Sequence, residues 1–213
     1  MMQHTNIILS LILISILSSL SSSRVLFLIK ILVFQGVLVS LIPLFLREDM
    51  ALGDGLFSVI MIGIRGILIP WFMYVIIKKI AIKKEVEPII GYHASIFIGL
   101  AIFVFAIYIS QKFNLPSQQK IPLLVPTAIT TLMSGMFLVM ARHKAITMII
   151  GYVIMENGIY LVGCTLSTHI RYIVEFGILL DVLVGVMLMG IVLNNINKTF
   201  DDIDTTLLQN LKE

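Results

Sequence analysis

The sequence holds almost no material for conventional active-site chemistry. A lone cysteine, Cys164, excludes an internal disulfide, an iron–sulfur site and a Cys-rich metal site. The four histidines, His4, His93, His143 and His169, fall on different loops or helix ends and show no ligand spacing. There is no phosphate-binding glycine loop and no nucleophile elbow. Charge is scarce as well, at 13% of residues against about 25% in soluble domains. The net charge of +3 comes without a basic stripe interleaved with aromatics, so nothing points to nucleic acid. The expectation is a non-catalytic chain that binds no metal or cofactor itself. Any redox or hydrolytic chemistry it serves belongs to another chain.

What the sequence does have is apolar length. Hydrophobic residues make up 59% of the chain and the mean hydropathy is +1.06. A membrane span needs about 20 mostly apolar residues, and lipid forces each span to satisfy its own backbone hydrogen bonds. Runs near 5–23, 25–46, 56–77, 89–110, 122–141, 145–166 and 173–195 meet that requirement. They predict an all-α, polytopic integral membrane protein of about seven helices, embedded in the lipid bilayer with no separate soluble domain. The first run has no positive charge ahead of it and "SSLSSSR" after it, the reverse of a cleavable signal, so it is expected to be retained.

Lysine and arginine counts in alternating loops set the expected orientation. Arg24, Lys30, Lys78, Lys79, Lys83, Lys84, Arg142, Lys144, Lys198 and Lys212 lie on one side; Arg47, Lys112, Lys120 and Arg171 lie on the other. Ten against four predicts an N-terminus outside and a C-terminus in the cytoplasm, with Arg65 left inside a span.

Three charges occupy span interiors: Arg65 in "MIGIRGILIP", Glu156 in "GYVIMENGIY" and Asp181 in "FGILLDVLVG". Each costs about 2.5–3.5 kcal/mol if it faces lipid at the bilayer centre, so all three are expected to face protein or water. Tyr152 and Tyr160 flank Glu156 at i−4 and i+4, and Asn157 adjoins it, giving a polar face that either carries protons or simply packs. Asp181 lies between Gly177 and Gly185, small residues that permit a close helix approach. Its alternative role is helix glue through a backbone hydrogen bond. Arg65 cannot easily relay a proton but can act as counter-charge to a carboxylate. Its pairing with Glu156 is a hypothesis at this level, with a purely structural ion pair as the alternative.

Weaker features accompany these. Thr127, Thr130, Thr131 and Ser134 make a hydroxyl stripe that lines a wet crevice or bonds to carbonyls of its own helix. Gln35 is mid-span and needs a partner; Lys30 is placed to snorkel. His93 reads as a helix-end residue, with a proton relay as the less favoured reading. The tail "FDDIDTTLLQNLKE" reads as a short amphipathic docking segment.

"RHKAITMIIGYVIMENGIYLVG", "EFGILLDVLVGVMLMGIVLNNI" and "DTTLLQNLKE", in that order, resemble the hydrogenase-4 component E family, membrane subunits of hydrogenase-4 and formate hydrogenlyase-type complexes. "IRGILIPWFM" and "FQGVLVSLIPL" resemble the same family's N-terminal helices, so the likeness covers most of the chain. The last three helices are similar, more distantly, to the small K-type subunit of respiratory complex I, which carries two intramembrane glutamates. Asp181 falls on the second acid, with Gly185 matching a following glycine; the first falls on Val153, three residues before Glu156. Arg65 stands where a lysine is expected, which puts a lysine-style relay in doubt.

The resemblance implies an N-terminal four-helix region (1–120), a K-like three-helix unit (121–197) and a cytoplasmic tail (198–213). It also implies a membrane component of a complex I-like assembly in a bacterial or archaeal plasma (inner) membrane. Its partners would be antiporter-like and H-type membrane subunits and a peripheral redox arm bearing iron–sulfur clusters, with or without nickel–iron. Glu156, Asp181 and Arg65 would then serve a proton or sodium pathway. An independent transporter and a passive scaffold are the competing functions. The first is disfavoured by the lack of a convincing inverted repeat.

Overall fold

A computed structural model describes residues 2–46, 59–60, 62–79, 90–112, 121–142 and 145–166, with positions 184, 185, 187 and 190 beyond them. Among these residues the chain is helical nearly throughout: α1 (Met2–Ser21), α2 (Val25–Leu46), a π-helical segment (Ile62–Leu68) running into α3 (Ile69–Lys79), α4 (Tyr92–Ser110), α5 (Leu124–Met140) and α6 (Ala145–Leu166). Four of them, α1, α2, α4 and α6, are long and apolar enough to cross a membrane; the π–α3 stretch and α5 are shorter apolar helices. The seventh predicted span and the tail lie outside the described residues, apart from the four isolated positions.

The serines of α1 do not break it because their hydroxyls bond within the helix. Ser10 donates to the Asn6 carbonyl, Ser15 to Ile12, Ser18 to Ile14 and Ser19 to Ile16, at 2.6–2.9 Å. Such local bonds hide polar groups where no water is available. A three-residue turn then reverses the chain, with the Arg24 amide donating to the Ser22 hydroxyl. Leu9, Ile12, Ile16 and Leu20 recur at helical spacing and are fully buried against α2, α4 and α5.

The π-helical segment has a local cause. Pro70 has no N–H to give to the Gly66 carbonyl four residues back, and its ring crowds that carbonyl. The turn just before it is therefore widened, as single-turn π segments commonly are near a helix disturbance. Arg65 sits in the middle of this wide turn. α2 supports it: a Cβ on Gly36 would stand 2.8 Å from the Arg65 carbonyl oxygen, and one on Gly66 would meet Val37.

α5 and α6 form an antiparallel pair whose approach is set by three glycines. Gly135 lies against the backbone of Met155 and Gly158 against the backbone of Leu132. A Cβ on Gly151 would stand 2.8 Å from the Val139 nitrogen. Small residues at a helix seam let backbones touch, which is where packing gains are largest when lipid supplies no hydrophobic drive.

One charged side chain ties helix ends together. Arg142, just past the end of α5, is only 1% exposed; its Nη2 donates to the Leu20 carbonyl at 3.1 Å. Its guanidinium carbon lies 5.4 Å from the centre of the Tyr92 ring, at the start of α4. The last turn of a helix leaves carbonyls without intrahelical partners, and a cation suits that end of the dipole. Burial lowers the pKa of Arg142 from its ordinary value while Tyr92 opposes the shift. An arginine stays protonated regardless. The contact puts the end of α1, the start of α4 and the end of α5 together on one side of the bundle. Lys30 is exposed, in keeping with a snorkelling side chain.

The outer faces are apolar. Phe97, Val104, Phe105 and Tyr108 of α4 and Trp71 and Phe72 of α3 are all exposed, Phe97 to 73%. A surface of this kind suits lipid or a neighbouring protein far better than water.

Candidate functional site

Arg65 meets α6 at the centre of the "MENGIY" stretch. Its Nη2 donates to Glu156 Oε1 at 2.8 Å, forming an ion pair whose side chains are 2% and 1% exposed. Its Nη1 donates to Asn157 Oδ1 at 3.1 Å, and its guanidinium carbon stands 4.6 Å from the centre of the Tyr160 ring. One guanidinium thus engages positions i, i+1 and i+4 of a single helix: a carboxylate, an amide and an aromatic face. The planar fork of arginine suits this division, because separate N–H groups can serve separate acceptors.

The arrangement answers the energetic problem posed by the sequence. Two opposite charges are removed from lipid together, and each has a hydrogen-bonding partner. A buried pair is weak evidence for stability, because desolvation offsets the attraction; breaking it by removing one partner typically costs about 3–5 kcal/mol. The cation–π contact adds about 2 kcal/mol when desolvated. Chemically, the site can hold Glu156 as a carboxylate beside a fixed cation, or lose that attraction if the acid takes up a proton.

The other predicted residues are distributed as follows. Asn157 and Tyr160 are buried in the site, and Tyr152, one turn before Glu156, is half-buried against the core. Gln35 precedes Gly36 on α2 and is fully buried, with neither side-chain polar atom hydrogen-bonded among the described residues. The Thr131 hydroxyl donates to the Thr127 carbonyl and Thr130 to the Pro126 carbonyl, so these two bond to their own helix. The Thr127 and Ser134 hydroxyls are buried with no partner among the described residues. His93 is exposed near the start of α4. Asp181 and Gly177 lie outside the described residues. Gly185 is exposed with nothing described within 4 Å of a Cβ placed there, and the close helix approach expected around Asp181 falls on residues outside the described ones.

Three features of this region escape sequence reasoning. Arg142 reads only as a loop charge, and no local pattern signals that it is buried. The α5–α6 seam has a signal in Gly151 and Gly158, seven residues apart on one face with Gly135 across from them. The π turn has one in Pro70 following Gly63 and Gly66.

Fold and site together define a helical membrane protein with a buried arginine–glutamate pair joining a π-helical turn to a long apolar helix. The chain is similar to the uncharacterized protein Rv0085 of Mycobacterium tuberculosis, at 26% identity over 193 residues, 87% of this chain and 85% of that protein. It is also similar to hydrogenase-4 component E of Escherichia coli K12, at 23% identity over 146 residues, 68% of each chain. The same figures hold for hydrogenase-4 component E of Shigella flexneri. No family model matches the chain. No solved structure matches it.

Proposed function

We propose that the chain is a non-catalytic membrane subunit of a complex I-like assembly of the hydrogenase-4 or formate hydrogenlyase type. In this reading Glu156, with Arg65 as its counter-charge and Asp181 as a second acid, takes part in proton or sodium translocation coupled to electron transfer. The observation that carries it is the buried Arg65–Glu156 pair, joined to the similarity with hydrogenase-4 component E. An intramembrane carboxylate held by one cation is a group whose charge matters at membrane depth. Moving one charge against 100 mV takes about 2.3 kcal/mol. Two units of change in an acid's proton affinity supply about 2.7 kcal/mol, which is sufficient.

The electron-transfer chemistry belongs to partners. Antiporter-like and H-type membrane subunits would flank this chain in the bilayer of a plasma (inner) membrane. A peripheral arm would carry the iron–sulfur clusters, with or without nickel–iron. The K-like character of the last three helices is part of the same proposal.

The test is to purify the native assembly under mild detergent and identify what accompanies this chain. Antiporter-like subunits together with an iron–sulfur arm are expected. A lone oligomer that transports ions by itself would replace this reading with that of an independent transporter.

A further inference from the structure

We infer that Asn157 and Tyr160 form a holding site for Arg65 that does not depend on the charge of Glu156. The inference rests on the reading of Glu156 as an acid that changes its charge, and it names which group stays still when that happens. Arg65 uses different nitrogens for Glu156 and Asn157, so losing the first bond leaves the second geometrically intact. The Tyr160 ring meets the guanidinium through its face, an attraction that needs no carboxylate. Both residues are buried, as is the backbone that presents Arg65, where Gly36 lies against the Arg65 carbonyl. An arginine without such neighbours would be drawn off toward water or lipid headgroups once its carboxylate became neutral, since an unpaired buried charge is strongly unfavourable. With them, protonation of Glu156 turns a carboxylate into a carboxylic acid beside a stationary cation. Asn157 and Tyr160 are thus positioning residues: they keep the positive charge in place so that a returning carboxylate finds it at the same distance. The moving element of the site is the proton on Glu156, and the π turn with Arg65 is its fixed reference.

The experiment is electron cryomicroscopy of the purified assembly carrying Glu156→Gln, which mimics the protonated acid. Arg65 density is expected to remain within hydrogen-bond distance of Asn157 and over the Tyr160 ring. Density withdrawn from both residues overturns the inference, as does failure of this variant to assemble. Thermal melting supplies an independent reading. Glu156→Gln combined with Asn157→Leu should lower the melting temperature by more than the sum of the two single shifts. Glu156→Gln with Tyr160→Leu, which removes the ring from beneath the guanidinium, should likewise lower it by more than the sum of the single shifts. Additive shifts in either pair count against the holding role. Ion uptake by the same Glu156→Gln preparation tests the functional reading separately. Normal uptake would overturn that reading, whereas the position of Arg65 is read from the density.

Discussion

Gly36 lies against the carbonyl of Arg65 so closely that a single added methyl would stand 2.8 Å from its oxygen. The site is therefore positioned from the backbone as well as through its side chains. α2 fixes the π turn, and the π turn presents the guanidinium to α6.

Gly36→Ala should push the π turn away from α2 and loosen Arg65 from Glu156. The expected loss is about 1–3 kcal/mol of stability, the range for overpacking. Gly63→Ala, in the same π segment but with nothing within 4 Å among the described residues, should be neutral or slightly stabilising. Thermal unfolding of the two purified variants against the parent decides it.

The ion pair should show strong non-additivity. Arg65→Leu and Glu156→Leu each leave the opposite charge buried without its counter-ion and are expected to cost about 3–5 kcal/mol, while the double variant should recover most of that loss. Equal costs for the double and the sum of the singles would mean that the two side chains do not interact.

The α5–α6 seam should tolerate even less than the π turn. Gly135→Ala and Gly158→Ala each drive a Cβ into opposing backbone, which cannot rotate aside as a side chain can. Losses of about 3 kcal/mol, at the upper end of overpacking, are expected in a melting or expression assay. Gly91→Ala, with nothing within 4 Å among the described residues, is the control.

Arg142 should matter although it is far from Leu20 in sequence. Removing its bond to the Leu20 carbonyl with Arg142→Ala is expected to cost about 1.5–3 kcal/mol, the range for hydrogen bonds to charged groups. Tyr92→Leu, which removes the ring beneath the cation, should also lower stability, by about 0.5–2 kcal/mol.

Gln35 makes an opposite prediction. Its amide is fully buried and neither polar atom is hydrogen-bonded among the described residues, so Gln35→Met should leave stability unchanged or raise it. A clear loss in thermal melting would show that the amide has a partner after all.

The helices are legible in the sequence because lipid leaves few options for an apolar run. The boundaries read from hydropathy for α2, α4 and α6 fall within a few residues of those observed. Glu156 and Arg65 stand out for the same reason, as charges too expensive to face lipid. Their partnership is not legible, because nothing in the sequence fixes which face of the third span meets α6. That depends on the widened turn before Pro70 and on the absence of a Cβ at Gly36, both tertiary matters. The threonine stripe illustrates the converse. Its spacing leaves room for a wet crevice, but Thr130 and Thr131 turn their hydroxyls onto their own helix, the option the sequence reading favours.

The most direct measurement is ion uptake per electron transferred by vesicles containing the intact assembly with Glu156→Gln. The account predicts that the complex assembles and turns over electrons while ion uptake is lost. Uptake at the parental ratio would contradict it and leave the Arg65–Glu156 pair as a structural lock.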